Sequence, residues 1–113
     1  MEISRETHGD MLALTLCTRR LDAAGALSFK ERFRSETADH TGRVVLDMDE
    51  VDFLDSSGLG ALVAAMKSLP PDRKLELARC GPIVSKVLKL TRMDSVFVMH
   101  DALPWSSSGK DAA

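Results

Sequence analysis

The sequence predicts a small α/β domain with a mixed, mostly parallel sheet, and three observations carry that prediction. Apolar runs of strand length alternate with segments whose apolar residues recur every three or four positions. Strands separated by helical segments of this length need crossover connections, which bring the chain back parallel to itself. The opening differs, because two alternating segments meet at Gly9-Asp10 with no helix between them. An antiparallel edge is expected there.

Taken in order, residues 2–7 and 11–17 are predicted strands. In the second, Leu12, Leu14 and Leu16 alternate with Ala13 and Thr15, so one face is strongly apolar. Arg19-Arg20 follow, and Asp22 is the expected N-cap of a helix. Ala23, Ala26, Phe29 and Phe33 form its apolar stripe, with Lys30, Glu31, Arg32 and Arg34 largely in water. Gly42 ends that connection. Residues 43–48 read as a buried strand around Val44-Val45-Leu46, and 56–68 as a helix with Leu59, Leu62, Val63 and Met66 facing inward.

Pro70-Pro71 break this helix. Residues 74–78 alternate and form a strand, and Gly81-Pro82 open another helix with proline in its first turn. Ile83, Val84, Val87, Leu88 and Leu90 are expected to face in, with Lys86 and Lys89 outside. Residues 96–99 are the expected last strand. Asp101 is a candidate cap for a short final helix, and Trp105 a cover over a core edge. The serine-rich end has nothing to bury, so residues 1–105 are expected to form one domain and 106–113 a disordered tail.

With 113 residues, the chain has room for a single domain. Its net charge of −2 gives no basis for a nucleic-acid or anionic-membrane partner. No apolar stretch is long enough to cross a bilayer and the N-terminus does not read as a signal peptide, so a cytoplasmic location is expected. Cys17 and Cys80 form no paired motif and read as reduced core thiols.

The chain is organised around Val51–Gly60, which carries it from a strand into the first turn of a helix. Helix N-termini hold unpaired N–H groups and the positive end of the helix dipole. Either Asp55 or Ser56 can supply the cap. A serine held here is exposed, and a phosphate on it would meet N–H donors, which makes Ser56 a candidate switch. The competing reading is that Ser56 only caps the helix. The outward side of this helix is expected to carry Gly60, Ala61, Ala64 and Ala65, a face small enough for a partner or a neighbouring helix to approach.

Enzymatic readings find little support. Asp55-Ser56-Ser57-Gly58 lacks the leading glycine of a hydrolase nucleophile elbow, and His8, His40 and His100 lie in separate segments. The run Asp47-Met48-Asp49-Glu50-Val51-Asp52 has Asp52 where a calcium loop needs glycine, so it reads as a solvated turn. No acidic pair follows the first strand, as a phospho-accepting Asp55 would require. Val63 stands where a dinucleotide-binding glycine motif needs a third small residue.

Val51 to Gly60, ending Phe53-Leu54-Asp55-Ser56-Ser57-Gly58-Leu59-Gly60, closely resembles the signature of STAS domains, and more narrowly that of bacterial anti-sigma factor antagonists. Leu21-Asp22 matches a second family feature, and the element order matches over residues 2–103. The resemblance implies helices packed on one side of the sheet, no enzymatic activity and no cofactor. It implies phosphorylation of Ser56 by a partner that is both anti-sigma factor and serine kinase of the GHKL type, with a serine phosphatase resetting the switch. The implied contact surface comprises Asp22, Asp55, Ser57, Gly58, Gly60, Ala61 and Ala64. The alternative is a constitutive scaffold or ligand-sensing STAS domain. Arg19-Arg20 depart from the family pattern, in which a glycine and an acidic residue commonly precede Leu-Asp, and bear on partner choice more than on fold.

Overall fold

The computed structural model of the chain describes residues 2–105. Strands β1 (Ile3–His8) and β2 (Met11–Leu16) form an antiparallel hairpin. Its turn has Gly9 at φ +63°, the left-handed backbone that glycine adopts without steric cost. A two-residue strand β3 (Arg20–Leu21) leads into helix α1 (Ala23–Thr37). Strand β4 (Arg43–Asp47) and a second short strand, β5 (Phe53–Leu54), precede helix α2 (Ser56–Lys67). Strand β6 (Leu75–Ala78), helix α3 (Pro82–Leu90), a 3-10 turn at Met93–Ser95 and strand β7 (Val98–His100) complete the order.

The main sheet runs β1-β2-β4-β6-β7, with every pair after the first parallel. Leu12, Leu14, Leu16, Val44, Leu46, Leu75 and Leu77 share one face and one core with Phe29 and Phe33 of α1, Leu62 of α2, and Val84 and Leu88 of α3. The three helices therefore lie on one side, as expected. The other face is built on Ala13, Val45, Ala78 and two buried carboxylates, each paired with a partly exposed cation. Arg43 clasps Glu76 through two nitrogens, at 2.9 and 2.6 Å, and His100 Nε2 reaches the same carboxylate at 2.7 Å. Arg79 holds Asp47 in the same two-pronged way, at 3.1 and 2.7 Å.

Several expectations need correction. Residues 96–99 are not one strand: the backbone N–H groups of Val96 and Phe97 donate to Met93 O, so ladder pairing starts only at Val98. Ile83 and Leu90 do not face in, being 56% and 76% exposed, since both lie roughly 100–120° round the helix from Val84. Asp47 is not part of a solvated turn; it is buried, because Arg79 compensates its charge there. Asp101 is not a cap, because the final helical residues begin at Pro104.

Ala23, expected in the α1 stripe, is exposed, whereas Ala26 packs against the core. Cys17 and Cys80 are unpaired and half-buried, and burial, with Asp47 adding to it, pushes the Cys80 thiol up to about 11. Trp105 stacks on His8. The predicted tail, 106–113, lies outside the described residues.

Candidate functional site

Two short parallel strands assemble the site. Arg20 pairs with Phe53 and Leu21 with Leu54, so the next residues on each strand, Asp22 and Asp55, reach the same register position. Both are N-caps. Asp22 Oδ1 accepts from Ala24 N at 3.2 Å, and Asp55 Oδ1 accepts from Gly58 N at 2.9 Å. Helices α1 and α2 thus start beside each other, their positive ends both directed at this edge. The pairing is reinforced by Arg19 O, which accepts from the N–H groups of Asp52 at 2.8 Å and Phe53 at 3.1 Å.

Gly58 explains how close the two segments come. A Cβ built on it would lie 1.9 Å from Leu21 O, a backbone atom with no freedom to move aside. Gly58 is therefore buried against its own chain and offers no surface to another molecule. Ser56 is the first helical residue, and both Ser56 and Ser57 are exposed. Because Asp55 makes the cap, the Ser56 hydroxyl is not needed to start the helix.

The far side of the site is lined by the two arginines. Arg19 binds Asp52 through two nitrogens, at 3.1 and 2.7 Å, which raises the guanidinium above its already high ordinary value. Arg20 pairs with Asp22 at 3.2 Å and lies over the Phe53 ring, 3.9 Å from its centroid. Each guanidinium is thereby paired with an aspartate beside the twin helix starts.

The family model for the STAS domain matches residues 2–105. This chain belongs to the STAS domain family. The anti-sigma-F factor antagonist RsfB of Mycobacterium tuberculosis is 27% identical over 94 residues, spanning 80% of this chain and 77% of that protein. An anti-sigma factor antagonist from Mycobacterium paratuberculosis superposes with a TM-score of 0.82 at 22% identity, over 96% of this chain and 92% of that one. SpoIIAA, an anti-sigma factor antagonist known in unphosphorylated and phosphorylated forms, gives TM-scores of 0.72 and 0.65 at 16% identity. Those matches cover 98% and 96% of this chain, and 96% and 98% of the SpoIIAA chains.

Within this STAS domain, the residues singled out from the sequence divide into two groups. Asp22, Asp55, Ser56, Ser57 and Gly60 gather at the twin helix starts, with Ala64 half-buried farther along α2. Ala61 and Ala65 do not join them: both are buried, because α2 packs on α1 and small side chains let the helices approach. Phe53 and its cation partner Arg20 were not anticipated as neighbours. A two-residue strand carries no periodicity, so only the pairing of β3 with β5 reveals the contact.

Proposed function

We propose that this STAS domain is an anti-sigma factor antagonist switched by phosphorylation of Ser56. Unphosphorylated, it binds an anti-sigma factor that is also a serine kinase of the GHKL type; phosphorylated, it lets that partner go. A serine phosphatase returns it to the binding form. The domain acts by binding, and the ATP belongs to the kinase.

One observation carries the reading. Ser56 is exposed on the first turn of α2 while Asp55 provides the cap, so a phosphate there breaks no structural hydrogen bond. It adds about −1.5 to −2 charges at neutral pH next to N–H donors, which the fold tolerates. In the middle of a contact face the same charge must be desolvated, and a loss of about 3 kcal/mol weakens binding about a hundredfold. The names of the relatives agree with such a role. The docking face comprises Asp22, Asp55, Ser56, Ser57, Gly60 and Ala64, flanked by Arg19 and Arg20.

Incubation with the cognate kinase and ATP, followed by intact-mass analysis and peptide mapping, tests the proposal. A single phosphate on Ser56 supports it. Phosphate on Ser57 retains the mechanism and moves the acceptor by one residue. No phosphate, under conditions where the kinase binds, overturns the switch.

A further inference from the structure

We propose that Arg20 is the internal counter-ion of phosphorylated Ser56: its guanidinium, resting on the Phe53 ring, exchanges Asp22 for the phosphate. The inference rests on Ser56 as the phosphate acceptor and adds what the domain itself does once the phosphate is in place.

Strand pairing puts the arginine within reach. Leu21 and Leu54 are buried partners in the register, so Arg20 and Phe53, one residue earlier on each strand, share the outward face. Arg20 Nε donates to Asp22 Oδ2 at 3.2 Å, which aims the guanidinium along β3 toward the two helix starts. The first turn of α2 is pressed against the same strand. Gly58, two residues after Ser56, leaves no room for a Cβ beside the carbonyl of Leu21, the residue after Arg20. Ser56 follows Asp55 by one Cα step of about 3.8 Å, and Asp55 lies a strand spacing of about 4.8 Å from Asp22. An arginine and a phosphoserine close that gap from opposite sides without moving the backbone.

The present partner is easily exchanged. The Arg20 and Asp22 side chains are 62% and 23% exposed and joined by one bond. Among the described residues, the two terminal nitrogens of Arg20 have no hydrogen-bond partner. A solvent-exposed pair of this kind contributes little. A phosphate carries about −1.5 to −2 charges and offers three acceptor oxygens to the two-nitrogen edge, so it outcompetes one carboxylate. Asp22 releases the arginine without losing its cap, because Oδ1 holds Ala24 N and only Oδ2 holds Arg20.

Arg19, the neighbouring cation, is bound through two nitrogens to Asp52. Residues 23–29 of α1 and 56–66 of α2 include no charged side chain. The charges facing the phosphate are therefore Arg20 and the carboxylates of Asp22 and Asp55, with the Arg19–Asp52 pair beyond them. Phosphorylation then alters both helix starts. The phosphate stands at α2, and at α1 Asp22 is left with an uncovered carboxylate, so a docked partner meets two changes from one modification.

Phosphoserine installed at position 56 of the full chain by an expanded genetic code makes the test independent of the kinase. The second ionisation of the phosphate, followed by phosphorus NMR, should have its midpoint about 0.5–1 pH unit lower in the otherwise wild-type chain than in Arg20→Gln. Arg19→Gln should match the wild-type chain. With both arginines intact, the Nε–H resonance of Arg20 should shift on phosphorylation as Asp22 is exchanged, and that of Arg19 should hold. Equal midpoints in the wild-type chain and Arg20→Gln would overturn the exchange. So would a displacement in Arg19→Gln as large as in Arg20→Gln, or an unmoved Arg20 resonance. These results leave the switch at Ser56 standing, whereas a Ser56 left unmodified by a bound kinase strikes the switch itself.

Discussion

Asp22 and Asp55 occupy the same register position beyond the paired strands β3 and β5, and each caps the helix that follows it. Two chain segments about thirty residues apart thereby present matched helix starts at one edge of the domain. Only one of these starts carries serines; α1 begins with Ala23-Ala24 where α2 has Ser56-Ser57. The division of labour within α2, with Asp55 capping and Ser56 facing water, can be tested directly.

Replacing Asp55 by alanine should destabilise the domain by about 1 kcal/mol through loss of the bond to Gly58 N. Ser56→Ala should change stability by less than about 0.5 kcal/mol. Urea denaturation of both variants decides the point. Equal losses would mean that the hydroxyl contributes to the cap after all.

Gly58→Ala should cost about 2–3 kcal/mol, against the usual helix preference for alanine, because the new Cβ meets Leu21 O. A lower urea midpoint is the expected readout. Gly60, with nothing within 4 Å of a built Cβ, should accept alanine and gain slightly, up to about 1 kcal/mol. Equal behaviour of the two variants would contradict the close approach of β3 to α2.

Ser56→Asp should fold with an unchanged circular dichroism spectrum and bind the anti-sigma partner at least about tenfold more weakly than wild type, as measured by calorimetry. Ser56→Ala should bind normally and resist phosphorylation. An unfolded Ser56→Asp protein would contradict an exposed helix start.

Acid sensitivity should concentrate at Glu76. Burial opposes its ionisation, but hydrogen bonds and charge from Arg43 and His100 outweigh burial and leave the carboxyl below its ordinary value of 4.5. A carboxyl depressed in the folded state stabilises above its unfolded value. That contribution declines as pH falls below about 4.5 and is gone beneath the folded value. Glu76→Gln should be less stable than wild type at neutral pH and lose stability less steeply on acidification. Parallel stability curves for the two proteins would rule out this role.

The thiol of Cys80, pushed up to about 11, should be almost wholly protonated at pH 8. In the native protein it should react with a thiol reagent far more slowly than in urea. Mass mapping of the labelled peptide measures the ratio, and equal rates would show that the site opens readily.

The α/β class, the antiparallel opening and the cap at Asp22 were legible because hydrophobic period, turn glycine and capping chemistry are local properties. Helix α3 shows the limit of local reading. Ile83 and Leu90 are as apolar as Val84 and Leu88, but only position round the helix relative to the sheet decides which are buried. Glu76 resembles the wet half of an alternating strand; in a central strand it is enclosed, and the cations from β4 and β7 make its charge tolerable.

The stretch from Phe53 to Gly60 determined by itself that a helix begins beside an exposed serine, since an aspartate, two serines and two glycines there have few other uses. What stands opposite that serine was decided only by tertiary structure. The pairing of Arg20-Leu21 with Phe53-Leu54 brings Asp22, Arg19 and Arg20 to the site, and the packing of α2 on α1 withdraws Ala61 and Ala65 from it. The reason is physical: capping acts between neighbours along the chain, whereas strand pairing and helix packing join residues whose separation leaves no periodic trace in the sequence.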